Sequence, residues 1–251
     1  MSERLSAVII TRNAAAQLPE CLESVRFADE ILIVDSGSTD DTRAIAERHG
    51  AKFLTQAWLG YGKQKQFAVD RAAHDWVLCL DADERVSPTL AHRLQEALRA
   101  PAFFAYDMPR CNRFMGRWLR HGEGYPDPNL RLFHRGHARW SDDPIHEHVV
   151  TDEPVERLEG DLLHATETTL ADYLEKQNRY TTLQAERLYA AGKRITAWRL
   201  VLSPVVRFVK FYFLRRGFLD GIPGFVHITI GCFNSFCKYA KLIQLTRASS
   251  K

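Results

Sequence analysis

The sequence is poor in features that staple or anchor a chain. Its 251 residues hold five cysteines, Cys21, Cys79, Cys111, Cys232 and Cys237. They are odd in number and none forms a C-x-x-C pair, so no disulfide framework or zinc ribbon can be read and a reducing compartment fits. Long apolar runs are missing too. The longest uncharged stretch of the C-terminal part, Gly221 to Cys237, has 17 residues and carries Pro223, His227, Asn234 and Ser235. That falls short of the ~20 apolar residues of a spanning helix. The start, MSERLSAVIITRN, lacks the charged, apolar and small-residue order of a signal peptide, which predicts a chain that stays in the cytoplasm. Hydrophobic residues at 45% and charged residues at 26% exclude disorder and collagen-like repeats.

Acidic residues are scarce in one region only. Between Lys193 and Lys251, eleven Lys or Arg stand against a single acid, Asp220, while the first 192 residues hold 23 basic and 30 acidic side chains. The net charge of +3 therefore hides an acidic body and a basic tail. In the tail, Arg207, Lys210, Arg215, Arg216, Lys238 and Lys241 interrupt or flank runs rich in Phe and Tyr. Helices that lie in the headgroup plane of a membrane have this composition. The plain alternative is that the helices pack on the body and the cations are solvated rims. The reading adopted is a body over 1–166 and a helical extension over 167–251 that contacts an anionic membrane surface. Nucleic acid is not the expected partner, because the aromatics fall in apolar runs rather than on a stacking platform and no recognised module is present.

Strand-like and helix-like periods alternate through the first hundred residues. Leu5–Ile10, Glu30–Val34, Ala51–Thr55 and Trp76–Leu80 are short apolar runs. Leu18–Val25, the segment from the Ser38-Thr39-Asp40-Asp41 cap through His49, Tyr61–Ala72 and Pro88–Arg99 have helical spacing. This alternation predicts an α/β fold with a parallel sheet covered on both faces, whose ligands gather at the carboxyl ends of the strands. Residues 101–165, rich in Pro, Gly, His and Arg, carry strand candidates at Phe103–Met108, Leu130–Phe133, Ala138–Trp140 and Ile145–Val150, an antiparallel extension. From Thr168 to about Ala191 the pattern turns helical, stopped by Gly192.

Three strand ends carry polar residues able to hold a ligand: Thr11-Arg12-Asn13, Asp35-Ser36-Gly37, and Asp81-Ala82-Asp83-Glu84. Two carboxylates one residue apart suit a hard cation, Mg²⁺ or Mn²⁺, which leaves coordination positions for substrate phosphates. The bland alternative is an acidic cluster that complements the dipole of the next helix. Asp35 can accept hydrogen bonds from a base or ribose, or can simply close an Asx turn. In Asp142-Asp143-Pro144-Ile145-His146-Glu147-His148, a strand would put the two histidines on one face and Glu147 on the other. Arg117, Arg120 and Arg131 suit acceptor phosphates through their planar forks. His134, His137, His146, His148 and His164 include no H-E-x-x-H, so a zinc hydrolase is not indicated.

The segments LSAVIITRN, EILIVDSGSTDDT, GYGKQKQFAVDRAAHDWVLCLDADE and DPIHEHV resemble the family 2 glycosyltransferases of the GT-A fold, and within them the lipopolysaccharide inner-core β-glucosyltransferases. The likeness extends over nearly the whole chain, through RFVKFYFLRRGFLDGIPGF. It implies a Rossmann-like, mostly parallel central sheet with a C-terminal helical, membrane-associating extension. It also implies metal-dependent, inverting transfer of a sugar, glucose from UDP-glucose, onto a lipopolysaccharide core or related glycolipid at the inner face of the cytoplasmic membrane of a Gram-negative bacterium. By the same resemblance, Thr11 and Asp35 contact base and ribose, Lys65 and Gln66 lie near the diphosphate, and Asp81 reaches the ribose or the metal. Asp83 ligates the metal and His164 completes its shell. Glu147 deprotonates the acceptor hydroxyl, with Asp143 as runner-up; the alternative for Glu147 is an ion pair with an arginine such as Arg131 or Arg139. Many members carry two acids in the motif V-D-D-G-S-T-D. Here the second position is Ser36, so donor-base contacts rest on Asp35. The competing readings are a catalytically silent, membrane-docked scaffold and a nucleotidyltransferase. The latter usually opens with a Gly-rich loop ending in basic residues, and TRNAAAQLPE lacks one.

Overall fold

The computed structural model describes residues 2–143, 147–165, 169–196 and 198–248. The chain divides into two compact units, 1–111 with 127–165 and 112–126 with 166–251. A division at 166/167 would leave residues 112–126 in the body; in the structure they belong to the second unit.

The elements run β1 (Leu5–Thr11), α1 (Leu18–Ser24), β2 (Glu30–Asp35), α2 (Thr42–Arg48), β3 (Lys52–Thr55), α3 (Tyr61–Arg71), β4 (Trp76–Asp81), β5 (Glu84–Val86), α4 (Pro88–Arg99), β6 (Ala105–Phe114) and β7 (Arg117–Trp118). There follow β8 (Asp127–His134), β9 (Ala138–Trp140), β10 (Val149–Thr151), β11 (Val155–Arg157), β12 (Leu162–His164), α5 (Leu170–Ala190), α6 (Trp198–Phe208) and α7 (Gly221–Ala248).

The main sheet has the order β3-β2-β1-β4-β8-β6-β12-β5. Its first half is parallel, with Thr11 opposite Asp35 and Ile10 opposite Asp81, so the three ligand-capable strand ends meet at one edge. β8 pairs antiparallel with β4 and β6, and β12 with β5, while β11 adds to β6 in parallel, so the sheet is mixed and the expected parallel sheet makes up its first half. Strands buried on both faces read as continuous apolar runs, and β1 is buried along its whole length. One face packs Leu5, Ile9, Leu78 and Leu80 against Leu18 and Leu22 of α1 and Leu90 and Leu94 of α4. The opposite face packs Val8, Val34, Val77 and Cys79 against Ala68 and Val69 of α3 and Trp140 of β9. The start of α4 is fixed by Ser87, whose Oγ accepts from Leu90 N at 3.3 Å, with Pro88 in the first turn.

The strand expected at Ile145–Val150 is β10, Val149–Thr151, paired with β9. Residues 147–148 precede it outside the ladder, and Ile145 and His146 lie outside the described residues. The face assignment of His146 therefore has no structural counterpart here.

In the second unit the segment 112–126 is fastened to the turn between α6 and α7. The Asp220 carboxylate, 2% exposed, accepts from Arg120 N at 3.0 Å and His121 N at 2.8 Å, and meets His121 Nδ1 at 3.0 Å. The only acid of the tail is thus a structural clasp. α6 continues into a π-helical stretch, Val209–Leu214, and a 3₁₀ turn, Gly217–Asp220, leads into α7. On α6 and its continuation Trp198, Val201, Leu202, Val205, Val206 and Val209 are all exposed. Their spacing traces a single helical face, so this helix turns its apolar stripe outward. Val201 is 69% exposed, and Leu214 and Ile222 beyond it are 75% and 73% exposed. Among the described residues no helix is long and apolar enough to cross a membrane.

Candidate functional site

At the tips of β1 and β2 the side chains form a closed loop. Asp35 Oδ1 accepts from Thr11 Oγ1 at 2.8 Å and Ser38 Oγ at 2.5 Å; Oδ2 accepts from Gly37 N at 2.9 Å and Ser38 N at 2.7 Å. An ionised carboxylate has about four acceptor sites, and those of Asp35, 2% exposed, are taken by Thr11 of β1 and by its own turn. Gly37 permits the turn with φ of 88°. Ser36, at the position of the second acid, accepts from Gln64 Nε2 at 3.1 Å. The structure thus gives Thr11 and Asp35 the work of shaping the strand-end loop.

The centre of the site is a buried cation. Lys65 Nζ, from α3, lies 3.0 Å from Asp81 Oδ1 and 3.7 Å from Glu147 Oε1, and sits 4.7 Å from the centroid of the Trp140 ring. Arg131 Nη2, from β8, lies 3.3 Å from Asp81 Oδ2 and 2.7 Å from Glu84 Oε1. Burial opposes ionisation of Asp81, but Lys65 and Arg131 overcome it and hold its carboxyl well below the usual carboxylate range. Arg131 is itself 3% exposed. Its charge is opposed by burial and favoured by Glu84 and Asp81, which raise its pKa above the ordinary arginine value. The acceptor-facing position expected of Arg131 gives way to a buried one, because two carboxylates of the D-A-D-E turn enclose its guanidinium.

Asp81, Asp83 and His164 do not share one metal-binding cluster. Lys65 and Arg131 draw Asp81 to themselves, while Asp83 Oδ2 meets His164 Nε2 at 3.2 Å. The second pair is made by the β5–β12 ladder, which sets Glu84 opposite His164, and by Ala165 N donating to Asp83 O at 2.9 Å. Among the described residues no group of three or more His, Cys, Asp or Glu could hold a metal. Two partly exposed ligands side by side nonetheless fit a cation of the Mg²⁺ or Mn²⁺ kind, which binds through one or two protein groups and fills its shell with phosphate oxygens and water. They do not fit a closed zinc site.

Glu147 is held by packing and by Lys65, the cation taking the place of the arginine partner weighed from sequence. Ser141 N donates to His148 O at 2.8 Å and His148 N to Ser141 Oγ at 3.2 Å, closing the loop that carries Glu147. On α3, a Cβ at Gly62 would overlap the Ser141 carbonyl oxygen and touch Glu147 Cβ. Gly62 thus leaves room for the Ser141 carbonyl and for Glu147. Gln66 has two partners of its own: its Oε1 accepts from Trp140 N at 2.8 Å and its Nε2 donates to Asp70 Oδ1 at 2.7 Å. It anchors β9 rather than standing free for a diphosphate.

Several members of this arrangement were not singled out from sequence. Glu84 is fully buried, its Oε2 accepting from Asp81 N at 3.0 Å; the sequence placed it in the acidic strand end without a role of its own. Trp140 roofs both Lys65 and Arg131, and its Nε1 donates to the Cys79 sulfur at 3.4 Å. Burial pushes the Cys79 thiol up to about 12, so it stays protonated. Gln64, between Lys63 and Lys65 in the first turns of α3, had no signal beyond its place in G-Y-G-K-Q-K-Q.

The sequence model described as glycosyl transferase family 2 matches residues 6–152, more than half of the chain. The lipopolysaccharide core biosynthesis glycosyltransferase LpsC of Rhizobium meliloti (strain 1021) is 33% identical over 248 residues, covering 96% of this chain and 92% of that protein. An uncharacterized glycosyltransferase of Rickettsia felis is 33% identical over 258 residues, covering 96% of this chain and 89% of its own. Among solved structures, mannosyl-3-phosphoglycerate synthase from Rubrobacter xylanophilus aligns with a TM-score of 0.49 at 19% identity, over 78% of this chain and 77% of that one.

Proposed function

The chain belongs to glycosyl transferase family 2 and is a glycosyltransferase related to those of lipopolysaccharide core biosynthesis; on that ground we propose a donor, an acceptor and a catalytic base. The donor is UDP-glucose, and the acceptor is a hydroxyl of a lipopolysaccharide core or related glycolipid. The base is Glu147. The observation that carries this reading is the juxtaposition around Lys65, where a carboxylate on a packed loop and the carboxylate of a D-x-D strand end flank one buried ammonium.

In this reading Glu147 takes the proton from the acceptor hydroxyl, whose oxygen attacks the anomeric carbon from the face opposite the nucleotide. The bond from that carbon to the diphosphate breaks, the diphosphate leaves with the electron pair, and the anomeric configuration inverts. Lys65 keeps Glu147 in place and offers positive charge beside the diphosphate. A divalent cation held by Asp83 and His164 would supply charge neutralisation to the leaving group. Asp81, paired to Lys65 and Arg131, fixes the orientation of both cations. Thr11, Asp35 and Ser36 shape the loop that cradles base and ribose.

The second unit completes the reading. Its outward apolar stripe is flanked by the exposed cations Arg199, Lys210, Arg215 and Arg216, and patches of this kind seek an interface. Apolar residues set between cations match an anionic leaflet, which supports our reading of a peripheral enzyme on the inner face of the cytoplasmic membrane, where a glycolipid acceptor is presented.

Calorimetric titration with UDP, ADP, GDP and CMP, each with and without Mn²⁺, tests the donor assignment. UDP alone should bind, and more tightly with the metal. A folded protein that binds no nucleotide in either condition would retire the donor site.

A further inference from the structure

Within the second unit, α5, α7 and the 112–126 segment enclose a cavity of about 310 Å³, at the low end of the roughly 300–1,000 Å³ of small-molecule sites. Two helices packed side by side normally bury apolar surface, since polar groups taken from water need partners. Here the seam is polar. Lys241 Nζ reaches Asn178 Oδ1 at 2.6 Å and the hydroxyls of Thr181 and Thr182 at 2.8 Å, and Asn234 Nδ2 donates to Gln177 Oε1 at 2.8 Å. Arg207 pairs with Glu123 through two hydrogen bonds, and Gly231 has no side chain to collide with the Glu123 carboxylate. Burial and the nearby Arg207 push His227 down to about 4, which leaves its ring neutral, with one donor and one acceptor.

We propose that this cavity is a binding site for one saccharide unit carrying an anionic group. Sugar hydroxyls donate and accept at once, and Gln177, Gln184, Asn234 and His227 line the cavity with both functions. Tyr173 and Tyr180 add ring faces with hydroxyls. The charges of Glu123 and Arg207 are spent on each other. Lys238, whose ammonium lies over the Tyr239 ring at 4.7 Å, forms no ion pair among the described residues and supplies one positive charge for a phosphate or carboxylate on the sugar. A purely anionic ligand would call for more cations, and a nucleobase for an apolar slot. This inference extends the glycosyltransferase reading to a second carbohydrate site. The anionic sugar is either part of the acceptor glycan or a free sugar phosphate.

The test is calorimetry on the full chain with glucose 6-phosphate, glucose, inorganic phosphate and a deacylated lipopolysaccharide core oligosaccharide. Glucose 6-phosphate should bind more tightly than glucose or phosphate, and Lys238→Gln should weaken it about tenfold, the worth of a charge-assisted hydrogen bond. Gln184→Ala, on an exposed part of α5 that tolerates truncation, should weaken it by about threefold. If the oligosaccharide displaces glucose 6-phosphate the source is the acceptor; if it does not, the source is a free metabolite. The site is overturned if neither ligand binds, if phosphate alone binds equally well, or if both variants bind as the parent does. UDP titration of the same preparations separates the two readings, because its failure beside intact sugar binding faults the donor site alone.

Discussion

The two units give up stability in opposite ways. The body draws charge inward: Lys65, Arg131 and Glu84 are buried, and desolvating an ion pair often costs as much as the pairing returns. The helical unit turns apolar groups outward along α6 and beyond it, with Leu214 and Ile222 each about three-quarters exposed. Each large apolar side chain left in water forgoes roughly 1.5–3 kcal/mol of burial. Neither arrangement helps a chain merely to fold, and departures from local rules of this kind gather where function is. In the proposed reading the body's sacrifice serves the site around Lys65, and that of the helical unit serves a surface for a partner.

The largest effect expected belongs to the body. Replacing Glu147→Gln keeps its shape and its packing on Gly62 but removes the proposed base. Turnover should fall by roughly 10²–10⁴-fold, with nucleotide affinity within about twofold, since the acid acts on the acceptor side. Steady-state kinetics beside calorimetry separate the two; undiminished turnover would strip Glu147 of its role. Asp83→Ala should act the other way round. It removes half of the Asp83–His164 pair, so nucleotide affinity in Mn²⁺ should drop by roughly 10–100-fold while the metal-free value holds. Equal affinities in Mn²⁺ for parent and variant would move the cation elsewhere.

The helical unit should respond without any change in chemistry on a soluble acceptor. Leu214→Asp puts a charge at the tip of the outward stripe, where nothing in the fold depends on it. Binding to phosphatidylglycerol vesicles should weaken at least about tenfold, the worth of one apolar side chain left unburied, while stability stays within about 0.5 kcal/mol. Co-sedimentation and thermal unfolding read the two quantities. A variant that sediments like the parent would leave the stripe without a membrane role and erase the contrast between the units.

How much of this could be read in advance follows the range of the interactions. β1, β2 and β4 announce themselves as apolar runs, and their parallel register brings Thr11, Asp35 and Asp81 to one edge, as strand ends in such sheets must. β5 and β12 span three residues each, too short for a period. Only their mutual pairing, distant in sequence, brings His164 to Asp83. Arg131 looked like a surface phosphate ligand because a lone arginine carries no mark of burial; Glu84 and Asp81 decide its place. The tail's charge and aromatics were legible as composition. The polar seam between α5 and α7 was not, since it depends on which face of each helix meets the other.

Gln66 gives the smallest effect and the finest discrimination, because sequence and geometry assign it different work. Beside Lys65 in the motif, it was expected at the diphosphate; in the structure its amide oxygen holds Trp140 N and its amide nitrogen holds Asp70. A donor contact, if lost, weakens nucleotide binding. An anchor of β9, if lost, loosens Trp140 above Lys65 and the loop that carries Glu147, and leaves the nucleotide alone. Gln66→Ala should therefore cost about 1 kcal/mol of stability, the net worth of a hydrogen bond. It should lower turnover by roughly three- to tenfold through misplacement of the base, with UDP affinity unchanged. The opposite pattern, weaker UDP binding at full stability, would return Gln66 to the donor and show that the diphosphate pulls its side chain away from Trp140.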